Sequence, residues 1–385
     1  MSIELADPRD PPAPSGARSA LIELAAASVA AMTATRAEEI DAALARSLAD
    51  RLASGQALSL SEEIAAAPTL AIARALWRGL ITAWTVSSRP PAGETVAAVL
   101  FALPVVVVAG GAPGGDAAPP AIAGVLSDTE RLAAILRERR ALAGSQSFAL
   151  SNALVAADAI DIPHWSALLS WQRLVAGAGP AVHDLPPTPI AVPPGGQGVH
   201  LRFLMGTALL PADADLAAAA DVSGWAMPLA QELARQLAVP GLTVLALPRP
   251  PASPPAALQH GRAAQREVGA QLFASNAIRK LRASVGEPKA VISAHRAATA
   301  PGGGELRLSL SSPFDLRQAE GFRCPLFPTD RAGDVAAMLV ELLRDCRVGD
   351  VRIMPGVHPD RDQQTGLTLL FKADALAQAE QPSLH

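Results

Sequence analysis

The side chains best placed to do chemistry lie near the C-terminal end of a chain of 385 residues. His295 and Arg296 close a predicted strand over 290–295, and ends of strands at a sheet rim are where reactive side chains can meet a ligand. There His295 would titrate near neutrality and Arg296 would clamp a carboxylate or phosphate. Arg307, on the next predicted strand (305–311), adds a second guanidinium to that rim. Ser293 shares a strand face with His295. The two-residue spacing predicts a separation of ~7 Å, too long for a nucleophile bonded to its base. No Gly-x-Ser-x-Gly elbow occurs in the sequence, which also argues against a hydrolase of that type.

A second group sits on a predicted helix over 256–285. At ~100° per residue, Arg262, Arg266 and Lys280 fall on one stripe, while Ala274, Ala277, Ile278, Leu281 and Val285 form a separate apolar face. Arg279 and Arg282 lie nearby on other faces. Such a stripe suits an anionic ligand, an acidic partner or a nucleic-acid backbone. A solvated helix face has the same spelling, and the absence of basicity across the whole region favours that plainer reading.

His358-Pro-Asp360-Arg-Asp362 places an imidazole and two carboxylates at alternate positions, the best metal-like spelling in the chain. The loop chemistry of a polar hairpin explains the same letters, so the sequence assigns no metal beyond these weak candidates and leaves any cofactor unknown. Gly110-Gly-Ala-Pro-Gly-Gly115 follows a predicted strand, as phosphate-cradling loops do, but lacks the following Lys-Ser/Thr and carries Asp116, so it reads as an ordinary loop. Cys324 and Cys346 have arginine neighbours that would favour a thiolate if they were close in space, yet no spacing signature supports a reactive thiol. Trp165, Trp171 and Trp225 read as core.

Composition sets the outer limits. Half the residues are hydrophobic and 18% are charged, which excludes a chain disordered throughout. With 8 Phe, 5 Trp and no Tyr, stacking platforms for sugars or single-stranded nucleic acid are scarce. Charge is uneven: residues 1–70 carry ten carboxylates against five arginines, whereas 255–300 carry seven Lys/Arg against two Glu. Two cysteines cannot build a disulfide framework, and the acidic, proline-rich start lacks the basic and apolar regions of a secretory signal, so a cytoplasmic location is expected. The uncharged run Thr95–Gly115 is β-branched and contains Pro104, so it predicts a buried strand and no membrane span.

The elements that must position these residues read as an α+β fold, with a tail over 1–18, a helical N-terminal region over 19–88, and an α/β middle segment over 89–179. A Pro/Gly-rich linker follows over 180–198, then a C-terminal α+β domain over 199–374 and a tail over 375–385. Within the middle segment, Ser127-Asp-Thr-Glu supplies cap chemistry for a helix carrying Leu132, Ile135 and Leu136, and 151–175 reads as further helix. Strand 199–210, helix 227–237 and strand 242–247 read as one βαβ unit. Helix 256–285 with strands 290–295 and 305–311, and helix 332–346 with strands 350–354 and 367–371, share an α-β-β order. In the C-terminal domain, helices are expected to cover one face of a mainly antiparallel sheet.

These readings order the functions. First comes a non-catalytic partner-binding or assembly protein, working through a protein partner or a second copy of itself. An enzyme or binding protein for an anionic small molecule at the C-terminal sheet rim comes second. Nucleic-acid binding through the basic helix comes third, set back by net acidity and scarce aromatics.

Overall fold

The structure is a computed structural model that describes residues 19–88, 95–110, 121–142, 144–145, 147–178, 186–191, 197–211, 216, 224–239, 241–296, 304–312 and 319–358. These residues build an α+β fold in two compact units, one of residues 19–66 and 75–265 and the other of 67–74 and 266–358.

The first unit opens with α1 (Ala20–Val29), α2 (Ala34–Ala53), α3 (Ala57–Ala65) and α4 (Leu70–Ser87), the last divided between the units. Alanine-rich helices form here because alanine fixes no side-chain entropy. Ser19 and Thr33 start the first two, each accepting the amide three residues on. The buried stripe of α2, Ile40, Leu44, Leu48 and Leu52, has the spacing of one helix face.

Beyond the helices lies a four-stranded sheet made of β1 (Val96–Gly110), β2 (Ser147–Ala156), β3 (Gln197–Pro211) and β4 (Leu242–Ala246), in the order β2-β3-β1-β4. The long uncharged run is β1, and it is buried on both faces, which is why its sequence is apolar without alternation. β3 and β4 each run antiparallel to β1 and flank it, so β1 separates the two strands expected to form a βαβ unit. Ser151–Ala156 belongs to β2 and not to a helix. Its alanine content favours helix locally, but pairing with β3 and burial of Leu150 and Leu154 outweigh that preference.

Phe101, Leu103, Val105 and Val107 of β1 share a core with Leu132 and Leu136 of α5 (Thr129–Glu138) and Leu229 and Leu233 of α7 (Ala226–Leu237). The cap of α5 is Asp128, whose side chain accepts from Arg131 N at 2.9 Å. Trp165, which begins α6 (Trp165–Ala178), packs its ring 5.7 Å from both Trp77 and Trp84. On α6, Gln172 reaches β1, where its Oε1 accepts from Leu100 N at 3.1 Å and closes a stretch of strand edge. Of the 180–198 stretch, residues 186–191 and 197–198 are described: Ile190 bridges to Ile122 and Gln197 begins β3, and the two units divide between 66 and 67, inside α4 and inside α8 (Pro254–Val285). The early part of α8 approaches the sheet closely: a Cβ at Gly261 would stand 2.8 Å from Leu201 Cδ1 and 2.9 Å from Phe203 Cζ.

The second unit is a sheet of order β7-β6-β5-β8, built from β5 (Lys289–Arg296), β6 (Gly304–Ser311), β7 (Ala319–Pro325) and β8 (Asp350–His358). It is antiparallel except where β8 pairs parallel to β5. Ala290, Ile292, Ala294, Leu306, Leu308, Leu310 and Cys324 form one face. Against it pack Ala274, Ala277, Ile278 and Leu281 of α8 and Val335, Ala336, Leu339 and Leu343 of α9 (Ala332–Asp345). Helices thus cover one face of a mainly antiparallel sheet, as the sequence predicts. β7 is a strand the sequence reading lacks, and the expected strand 367–371 lies outside the described residues.

Candidate functional site

Because strand side chains alternate, the face of the second unit's sheet opposite its apolar core is set by the intervening residues. On β5 these are Val291, Ser293 and His295, and on β6 they are Glu305, Arg307, Ser309 and Ser311. Register places Ser293 opposite Arg307 and His295 opposite Glu305, with Arg323 of β7 beyond Arg307 and His358 of β8 beyond His295. The result is a polar lattice on four neighbouring strands. Its two central strands are as buried as an apolar core, with Arg307 and His295 0% exposed, Glu305 3% and Ser293 4%, whereas Arg323 and His358 on the flanking strands are partly exposed.

Two hydrogen bonds run along the strands of this lattice. Arg307 Nε donates to Glu305 Oε1 at 2.5 Å, and Arg323 Nε lies 3.3 Å from the same oxygen. Ser293 Oγ and His295 Nε2 are 2.8 Å apart. That distance corrects the expectation that the serine and histidine stay ~7 Å apart. The Cα spacing is of that order, but side chains on a strand lean along it and close the gap. The contact has the form of a nucleophile against its base. Both side chains are enclosed, and within the lattice the contact occupies His295 Nε2 while its Nδ1 is buried without a hydrogen bond. Arg296 stands exposed at the end of β5.

The three cations of the predicted stripe each face a carboxylate of their own chain. Arg262 Nη2 lies 2.6 Å from Asp161 Oδ2 in the first unit. Arg266 pairs with Asp330 in the second, where Asp330 also accepts from Phe327 N at 2.8 Å and Arg74 donates to its backbone oxygen. Lys280, the most exposed of the three, pairs with Glu320. Only the last is an open surface pair of the kind worth little to stability.

Of the metal-like residues, His358 lies beside His295 with ring centroids 5.3 Å apart, and Asp360 and Asp362 lie outside the described residues. Among the described residues no group of three His, Cys, Asp or Glu side chains is arranged to hold a metal ion. Gly111–Gly115 of the glycine-rich turn also lie outside them. Cys324 is buried in the apolar core, and burial pushes its thiol up to about 12 despite the nearby Arg266, the reverse of an activated thiolate. Trp165, Trp171 and Trp225 are buried core residues, as expected. Among the described residues no helix is long and apolar enough to cross a membrane.

One feature escaped sequence reasoning. Beside the C-terminal end of α5, Arg137, Arg140, Ser145 and Ser147 border a cleft of about 310 Å³ floored by Leu136, Leu142 and Phe148. The run Arg137-Glu-Arg-Arg140 was the available signal, but arginines in a helix's last turn ordinarily answer its dipole and say nothing of a ligand. In comparisons with protein-family models, curated proteins and solved structures, nothing matches this chain.

Proposed function

We propose that this chain is a non-catalytic binding protein that docks a protein partner, and that the contact is made at the turn joining α1 to α2. The observation carrying this reading is the apolar tip Val29-Ala-Ala-Met32, where Val29 is 47% and Met32 96% exposed. Turns between helices are ordinarily polar, whereas this one presents four apolar residues in succession before the capping Thr33. Methionine adapts its shape to the pocket that receives it, so the matching surface is an apolar pocket on another protein. The basic stripe offers this reading no support, because Arg262 and Arg266 hold Asp161 and Asp330 of their own chain.

Native mass spectrometry of the protein drawn gently from its own cells, wild type beside Met32→Glu, tests the proposal. A stoichiometric protein partner present with wild type and lost from the variant is the expected result. A wild-type protein that carries no partner, or a partner retained by the variant, overturns it. A second reading, a binding protein for an anionic small molecule, is favoured by the arginine-bordered cleft of the first unit.

A further inference from the structure

We infer that the cleft beside the C-terminal end of α5 is a binding site for a small organic anion, a carboxylate or phosphate ester carried on an apolar body; this rests on the second reading above. Its volume of about 310 Å³ is at the lower end of the range of roughly 300 to 1,000 Å³ in which small molecules are held. The lining combines the two chemistries such a ligand needs. Leu142 and Phe148 supply apolar floor, and Ser145 and Ser147 supply hydroxyl groups at the border.

The two guanidinium groups supply the charge. Arg137 lies over the cleft wall with its Cζ 5.3 Å from the Phe148 ring centroid, and its Nη2 is 3.5 Å from the exposed Glu130 Oε2. Arg140 meets no carboxylate among the described residues. Its backbone fixes where it stands: α5 ends by turning left-handed at Arg140, with φ 53°, and Ala141 N donates back to Leu136 O at 2.9 Å. The carbonyl end of α5 by itself repels anions, so binding here depends on these arginines and not on the helix. A carboxylate or phosphate accepts paired N–H donors from guanidinium well, and the apolar floor selects an anion with a body over a bare inorganic ion.

The left-handed position makes a clean test. Glycine adopts that backbone without strain, so Arg140→Gly removes the charge while leaving the fold as stable or more so. Calorimetric titration of wild type with phenyl phosphate, benzoate and inorganic phosphate should give binding of the two organic anions, with phenyl phosphate at least about tenfold tighter than inorganic phosphate. In Arg140→Gly the affinity for phenyl phosphate should fall by about tenfold or more, at an unchanged or raised melting temperature. Arg139→Gln, a neighbour that does not line the cleft, should bind as wild type does. Affinity undiminished in Arg140→Gly overturns this site while leaving the anion-binding reading intact. Failure of all three probes to bind wild type overturns both, and inorganic phosphate binding as tightly as phenyl phosphate overturns the assignment of an organic ligand.

Discussion

Glu305 and Arg307 stand two residues apart on one face of β6, joined Nε to Oε1 at 2.5 Å, with almost no solvent reaching either. Arg323 approaches the same carboxylate oxygen from β7. Removing Glu305 as Glu305→Ala strands the fully buried Arg307 guanidinium without that carboxylate, and should cost about 3–5 kcal/mol in urea denaturation. The double replacement Glu305→Leu with Arg307→Met should cost less than the single one, because it leaves no buried charge stranded at position 307.

Acid should weaken the first unit through His200. Burial first, and Arg202 second, hold its pKa below the ordinary 6.5, and His260 is lowered in the same direction by burial and Arg249. Above 6.5 neither folded nor unfolded chain binds these protons. As pH falls through 6.5 the unfolded chain takes them up first, so stability is lost progressively down to the lowered folded values. Melting temperature measured from about pH 7 to about pH 5 should fall, and His200→Leu should flatten the decline.

The two thiols should differ sharply in reactivity. Cys324 lies in the core with its thiol pushed to about 12, whereas Cys346 is partly exposed after α9. Brief treatment of the native protein with iodoacetamide at neutral pH, followed by peptide mass spectrometry, should label Cys346 and spare Cys324. Denaturant should make both react.

Gln172→Leu should leave the amide of Leu100 buried without its acceptor, costing about 1–3 kcal/mol in urea denaturation.

Much of the scaffold could be read from residue types alone. Pro104 and its β-branched neighbours announced β1, the Ser127-Asp128-Thr129-Glu130 run marked the start of α5, and the spacing of Ala274, Ile278 and Leu281 gave the buried face of α8. The second half of β2 reads as helix because Ala153 and Ala156 carry helix preference, and only pairing with β3 reverses it. The candidate sites were less legible for a related reason. A stripe such as Arg262, Arg266 and Lys280 shows where charges stand but not which carboxylates stand opposite, since Asp161, Asp330 and Glu320 come from distant parts of the sequence. The Ser293 to His295 contact turned on rotamers, which spacing does not specify. The cleft joins a helix end to the start of a strand, and no periodicity encodes such a junction.

Gln172 follows Leu100 by 72 positions. During synthesis β1 therefore leaves the ribosome well before the side chain that closes its edge exists. Its ladder partners β3 and β4 come later still, so until they arrive this apolar strand offers open backbone amides to any other chain. The hazard belongs to the growing polypeptide and not to the finished one, so crowding of nascent chains, more than heating of the mature protein, is the condition under which this sequence is most exposed to misassembly.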